Sequence, residues 1–242
     1  MYNCAEFIGE TYESLLLQTF TNWEWLIVDD CSTDSSLHMI KRIARRDARV
    51  KVFENRKNLG AAVSRNLAID NAQGVLVSFL DADDLWYPDK LSTQVEEISA
   101  GQGMVFSAYD IFEETPQKII KTVDNEYIQS VGYHDLLQKK VVFGCSTVMI
   151  RREIVGDLRM PLLNAGQDYA FWLSIMRNGV KAGHLPRPLA AYRKRDGSLS
   201  SNKWRKAWNQ WRIYRDHEQL NLLYSLYLFS SYAFRGFRLH YF

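Results

Sequence analysis

Two short, uninterrupted apolar runs, each ending in acidic residues, constrain this chain more than any other feature. Trp25-Leu26-Ile27-Val28 runs into Asp29-Asp30, and Val75 to Leu80 runs into Asp81-Ala82-Asp83-Asp84. A strand with one wet face alternates, whereas a strand apolar at every position is covered on both faces. Helical patterns fill the intervals. They cover 5–18, with Ile8, Leu15 and Leu16, and about 35–47 behind a Thr33 or Asp34 cap, with Leu37, Ile40 and Ala44. Another follows the Asn58-Leu59-Gly60 turn over 61–72, and a fourth follows Pro88 with Leu91, Val95 and Ile98. Val50 to Phe53 adds a short strand. This alternation predicts an α/β fold with a mostly parallel sheet flanked by helices.

The middle third is less regular. Strands are expected at 104–108, 119–123 and 146–151, a short helix at 134–139, and a longer one at 168–178 carrying Phe171, Trp172, Ile175 and Met176. Residues 193–201 are polar and loop-like. No repeat or low-complexity linker interrupts the chain before about residue 200. One body over 1–200 is therefore expected, followed by a helical tail over 201–242.

In an open α/β sheet, ligands bind beyond the carboxyl ends of the strands, where both acidic clusters fall. In extended backbone, residues two apart point the same way, so Asp81 and Asp83 converge while Ala82 faces inward. Converging carboxylates are costly without compensation. A hard divalent cation that keeps water and shares phosphate oxygens supplies it; a solvated acidic turn or a helix cap is the alternative. Three widely spaced cysteines without a CxxC, and five histidines without an HxH or HxxxH pair, speak against a disulfide scaffold and a His-built zinc site. No cationic stretch precedes an apolar core at the N-terminus, so no signal peptide is expected.

Taken together, Tyr2-Asn3, Gln18-Thr19-Phe20, the run from Trp25 to Asp34, Asn58-Leu59-Gly60, Ser64-Arg65-Asn66 and Phe79 to Asp84 resemble the family 2 glycosyltransferases of the GT-A fold. The resemblance spans about residues 2–200. It implies a nucleotide-binding half over about 1–100 and an acceptor half over about 101–200. It places Tyr2, Asp29, Asp30, Arg65, Asp81 and Arg193 at a nucleotide-sugar. Asp30 would meet base and ribose, Asp29 would face the other way, and Arg65 would help hold the nucleotide. Asp83 would be the principal ligand of a Mn²⁺ or Mg²⁺ ion, joined by Asp81. Gly166-Gln167-Asp168 resembles the family's acidic pair opening a helix, with Gln167 replacing the usual Glu, and implies Asp168 as catalytic base; a plain N-cap is the alternative. The stretch Tyr192 to Ser200, with Arg193 and Arg195, resembles a loop closing over the diphosphate, although an exposed basic loop fits too. Trp86 could stack on a sugar or lie in the core. The implied reaction is an inverting, metal-dependent transfer from a nucleotide-sugar, a UDP-sugar in the leading reading, to a glycan or lipid-linked acceptor in bacterial cell-surface polysaccharide or lipopolysaccharide synthesis.

Two features qualify that expectation. In the family an apolar strand precedes Tyr-Asn, and here Met1 does, so a central strand is expected to be absent. That leaves open a catalytically impaired chain acting as a membrane-surface scaffold or partner-binding protein. The tail is the second. The overall charge of +2 divides into +5 from Asn202 onward and −3 before it. Gln219 to Phe234 are sixteen uncharged residues, eleven of them apolar, short of the roughly 20 a spanning helix wants. With Trp204, Trp208, Trp211 and Arg215 on one helical face, the tail reads as an interfacial helix. It would hold a cytoplasmic protein on the inner face of the plasma membrane. A helical pair packed on the catalytic domain, or a homodimer through the tail, is the alternative. Nucleic acid is not an expected partner, because the basic residues flank an apolar stretch without a recognisable module.

Overall fold

The structure is a computed structural model. It describes the backbone of residues 1–124, 128–163, 165–195 and 203–241, and side chains for the same residues except 203–206 and 234–241. The first elements are α1 (Ile8–Leu16), β1 (Trp25–Asp29), α2 (Ser36–Ala44), β2 (Val50–Glu54), α3 (Ala61–Asn71), β3 (Leu76–Ser78), β4 (Leu85–Trp86) and α4 (Lys90–Ser99). They follow the predicted alternation with ends moved by a few residues. Then come β5 (Met104–Phe112), β6 (Ile119–Val123), β7 (Ser130–Val131), α5 (Tyr133–Leu137), β8 (Val148–Arg151), α6 (Arg152–Val155), α7 (Gln167–Met176) and β9 (Ala182–Arg193). The tail forms α8 (Lys203–Arg212), a π-turn over Ile213–His217, and α9 (Leu222–Tyr241).

The expected α/β architecture is present, but the strand directions are mixed rather than mostly parallel. β1 and β2 pair in parallel, Trp25 opposite Val50, as a sheet of two. The larger sheet runs β3-β8-β5-β9-β4, with β6 on β5 and β7 on β9. Within it only β5 and β9 are parallel. An apolar run reports that both faces are covered and carries no record of a neighbour's direction. β9 holds Pro186 and Pro188, and the β5 register shifts on either side of Ala108, where those prolines interrupt the ladder.

β1 and β3 do not pair with each other. Between them lies a cavity of about 520 Å³ lined by Trp25, Leu26, Ala68, Val77, Phe79 and Leu80, among others. Met1 sits at one end. Its amine donates to Val28 O at 2.8 Å, and Asp30 N donates to Met1 O at 2.8 Å. That is the bond pattern of a parallel ladder around Asp29.

Two apolar cores flank the larger sheet. One gathers Ile8, Leu15, Trp25, Ile27, Ile40, Leu91 and Val105 under α1, α2 and α4. The other is denser in aromatics: Phe79 meets Trp172 edge-on at 5.5 Å, and Phe106 stacks on Phe143 at 4.4 Å. Trp86 is buried, its Nε1 donating to Ser146 O at 2.8 Å, so it belongs to the core. Buried Lys90 donates to Ser78 Oγ (3.0 Å) and Gln94 Oε1 (2.6 Å) with its ammonium over the Trp86 ring. Burial without a carboxylate partner drives its pKa well down.

The tail packs on the body through its π-turn and the middle of α9. Ile213, Tyr214 and Leu228 are buried, and Arg177 of α7 pairs with Glu218 at 2.7 Å. Trp211 meets Phe229 edge-on at 5.6 Å. Trp208, Leu222, Leu223, Leu226 and Tyr227 remain exposed, Leu223 at 80%. Among the described residues no helix is long and apolar enough to cross a membrane. The side chain of Trp204 lies outside the described residues.

Candidate active site

Four segments build the site. The first is the end of β1. Asp29 is 1% exposed; its Oδ2 accepts from Ser32 N at 3.0 Å, while Oδ1 is buried without a partner. Asp30 is turned toward the protein. Its Oδ1 accepts from Asn55 Nδ2 (2.8 Å) and Leu59 N (2.9 Å), and its Oδ2 from Gly60 N (2.8 Å). Burial pushes its pKa up, but those donors prevail and hold it below the usual range. Gly60 makes this possible: its φ of +89° at the start of α3 is a conformation that suits glycine. The sequence reading gave Asp30 the ribose and turned Asp29 away; the unpartnered oxygen is on Asp29.

The second segment is the acidic turn. Residues 81–84 are not extended: Asp84 N donates to Asp81 O at 3.1 Å, and Ala82-Asp83 form the bend. The carboxylates of Asp81 and Asp83 are neighbours through a turn, not through strand alternation. Asp81 N donates to Ser146 Oγ (3.1 Å), which donates to Asp84 Oδ2 (2.6 Å). From behind, Thr11 Oγ1 of α1 donates to Asp84 O (3.0 Å). Asp84 is buried, and burial followed by the charges of Asp81 and Asp83 raises its pKa well above the usual range. Burial, then Asp81, also raises Asp83, against the pull of Arg195.

The third segment is α3, whose Arg65 ion-pairs with Asp81. Burial works against the guanidinium charge, yet Asp81, the Cys145 thiol and Asp168 together hold its pKa above the ordinary value. Asp168 is the second residue of α7 and not its cap; that place belongs to Gly166, with φ +76°. A Cβ there would stand 2.9 Å from Ile213 Cδ1 of the tail. Among the described residues Asp168 makes no hydrogen bond or ion pair. Gln167 Oε1 beside it is buried without a partner.

The fourth segment corrects an expectation. Arg193 is 5% exposed and held on every side. Its N donates to Asp84 Oδ1 (3.2 Å), Nε to Asp83 O (3.0 Å) and Nη1 to Glu114 O (3.2 Å); Nη2 pairs with Glu10, and the plane lies between Phe7 and Phe112. It organises the acidic turn, buried and with three of its five guanidinium N–H groups already bonded within the protein. Arg195 instead reaches Asp83 Oδ2 at 2.6 Å. The rest of the expected loop, 196–200, lies outside the described residues. Tyr2 is 46% exposed at the mouth. Sequence reasoning passed over Ser146, Thr11 and Glu10, which hold the turn; isolated polar residues in apolar segments carry no pattern to find them by.

The model of the Glycosyl transferase family 2 matches residues 1–159. The chain belongs to that family. The transferase is 38% identical over 233 residues to the putative teichuronic acid biosynthesis glycosyltransferase TuaG of Bacillus subtilis, covering 96% of this chain and 91% of the relative. It is 30% identical over 243 residues to the Escherichia coli UDP-Glc:alpha-D-GlcNAc-diphosphoundecaprenol beta-1,3-glucosyltransferase WfgD, covering 99% and 92%. Its fold matches S. aureus TarS 1-349 in complex with UDP-GlcNAc at a TM-score of 0.73 and 20% identity, over 98% of this chain and 71% of that one. It also matches the mannosyltransferase PcManGT of Pyrobaculum calidifontis in complex with GDP-Man and Mn²⁺ at 0.67 and 20%, over 91% and 63%. These likenesses give the transferase a GT-A fold.

Proposed function

We propose that this glycosyltransferase moves a sugar from a UDP-sugar to a hydroxyl of a lipid-linked or glycan acceptor in bacterial cell-surface polysaccharide synthesis, with inversion at the anomeric carbon. The observation that carries the reading is Arg65, paired with Asp81 of the acidic turn and under the influence of Asp168 on α7. In this reading the leaving-group machinery and the Asp168 carboxylate are parts of one cleft. The acceptor oxygen bonds to the anomeric carbon while its proton passes to Asp168. The bond from that carbon to the phosphate oxygen breaks, and its electron pair departs with the nucleoside diphosphate. Asp168 stands in the first turn of α7, where the helix dipole favours a negative charge. Arg65 faces the charge growing on the leaving group. Asp29 Oδ1, buried and unpaired, takes a donor hydrogen of the nucleoside, with Asp30 fixing the turn beside it and Tyr2 at the rim.

Two carboxylates, completed by phosphate oxygens and water, are a donor set suited to Mn²⁺ or Mg²⁺. Asp83 with Asp81 would hold the ion, although Arg195 now occupies Asp83 Oδ2. Bound there, a divalent cation would neutralise the departing diphosphate. The exposed apolar row of α9 beside a basic tail supports peripheral attachment to the inner membrane surface. Liposome flotation against sedimentation separates that from a homodimer through the same face. A second reading is an impaired chain serving as a scaffold. Turnover of a nucleotide-sugar panel with Mn²⁺ decides between them. Activity on a UDP-sugar that falls about 10²–10⁴-fold in Asp168→Asn supports transfer; activity unchanged in that variant removes Asp168 from its role, and no turnover of any donor by the wild type favours the scaffold.

A further inference from the structure

A short stretch of the tail, Ile213 to Glu218, lies along α7 from end to end. Ile213 Cδ1 stands 2.9 Å from the place of a Cβ on Gly166, the residue that opens the helix. His217 Nε2 lies 3.2 Å from Ala170 O and 3.0 Å from Ser174 Oγ. A carbonyl oxygen can only accept, so Nε2 carries the proton and one N–H serves both oxygens. Glu218 pairs with Arg177, which closes the helix, at 2.7 Å. The same stretch also grips α5: Tyr214 Oη donates to Leu137 O at 3.0 Å, and Tyr133 Oη donates to Glu218. Ile213, Tyr214 and Glu218 are buried. Glu218 N donates to Ile213 O at 2.8 Å, closing a π-turn, a rare geometry that recurs at functional sites.

Positions 166, 170, 174 and 177 recur at helical spacing, so these contacts form one stripe along α7. At about 3.6 residues per turn, Asp168 falls on the opposite side of the helix. Phe171 and Ile175, three and seven residues on, share that side and are buried in the core. Phe171 meets Phe79 edge-on at 6.4 Å, and Phe79 stands two residues before Asp81. The front of α7 therefore packs against the segment that leads into the acidic turn, and the tail closes on its back. A side chain on the front reaches as far as the helix is held forward.

We infer that the tail stretch 213–218 is a positioning element for the proposed base: it backs α7 on the side away from Asp168 and sets how far that carboxylate reaches toward the sugar. The inference rests on the proposed role of Asp168 and adds the part of the chain that fixes its place. These residues act through α7 and not on the sugar. His217 is the central one, because its single N–H ties two oxygens one helical turn apart. Ile213 holds the start of the helix, and Glu218 holds its end. A reacting group displaced by about 1 Å can lose about 10²-fold in rate, so a contact that contributes little to folding can still govern turnover.

The test follows hydrolysis of UDP-glucose and UDP-N-acetylglucosamine with Mn²⁺, in which water takes the place of the acceptor. His217→Leu removes the shared N–H, whereas His217→Gln keeps an N–H at nearly the same reach. Assayed well below the Tm of each variant, His217→Leu is expected to lower kcat about tenfold or more. Donor KM and UDP affinity should stay within about twofold, and His217→Gln should retain most of the wild-type kcat. An unchanged kcat in His217→Leu overturns the inference. A parallel loss of kcat and UDP affinity also overturns it, and would make the stretch a general support of the fold. Should His217→Leu fail to fold, Ile213→Val, which removes only the methyl nearest Gly166, carries the same comparison. Crystal structures of the wild type and the variant give a reading that needs no turnover. The Asp168 carboxylate should shift by about 1 Å relative to β5 and β9, and an unmoved carboxylate contradicts the inference. Asp168→Asn hydrolysing as fast as the wild type would strike the proposed base itself, and the crystallographic shift would still report whether the tail sets the place of α7.

Discussion

The half proposed to hold the donor and the half proposed to hold the acceptor are built differently. On the donor side, β1 and β2 form a sheet of two, separated from β3 by a cavity of about 520 Å³. Its functional carboxylates sit on turns tied by polar groups: Ser32 to Asp29, Gly60 to Asp30, and Ser146 and Arg193 to Asp84. On the acceptor side, Asp168 opens a helix whose following residues, Tyr169 to Leu173, are buried in an aromatic core. Asp168 is placed by packing, and Asp29, Asp30 and Asp84 by hydrogen bonds. Packing tolerates loss of volume poorly, and a polar tie fails when one partner is removed. The two halves should therefore respond to different insults.

The largest contrast is in the core. Trp172→Ala, in the acceptor-side cluster, is expected to cost about 3–5 kcal/mol in denaturant unfolding. Leu80→Ala, on the cavity wall, should cost well under half as much, because its contacts are already incomplete. Equal losses would erase the distinction between the halves. A second experiment fills the gap. The ladder at Met1 directs any residues attached to its amine back along β1, into the cavity. Five apolar, β-branched residues placed there should raise Tm by about 4–8 °C, the equivalent of roughly 2 kcal/mol in a domain of this size, and protect the facing amides of β1 and β3 from exchange. The same five residues with a central proline should not.

A smaller effect is expected at the polar ties. Ser146→Ala strips Asp84 and Asp81 N of a shared partner and should cost about 1–3 kcal/mol, with weaker UDP binding as its signature. Smallest is Asp47, whose carboxylate accepts from Arg49 and Tyr12 and is held well below the usual range, chiefly by the Arg49 side chain. A depressed pKa stabilises above the unfolded value and the stabilisation is lost as pH falls. Asp47→Asn should lower stability at pH 7 by no more than about 1 kcal/mol, and the difference from wild type should begin to shrink below about pH 4, the unfolded-state value, and be lost only as pH falls through the depressed native value. A constant difference down to pH 2 would deny the ion pair its contribution.

Much of the donor side was legible. Apolar runs ending in acids marked β1 and β3, and helical periodicity marked α1 to α4, because each needs only local pattern. Strand direction was not, since Val148–Arg151 is apolar whichever way Leu76–Ser78 runs beside it. Residues 182–192 carried no strand signal because Pro186 and Pro188 interrupt them, yet β9 survives by shifting register at Ala108. Arg193 read as a ligand-facing cation within a polar stretch, and only the fold brings Glu10, Glu114 and two phenyl rings around it.

The central claim is that the acidic turn and Asp168 face one cleft across Arg65. A crystal structure of Asp168→Asn with an intact UDP-sugar and Mn²⁺ tests it most directly. The diphosphate should lie against Asp81, Asp83 and Arg65, with the anomeric carbon about 6 Å from the tip of residue 168, the span of one hydrogen bond and one near-attack contact. A nucleotide bound elsewhere, or an anomeric carbon turned away from residue 168, would contradict it.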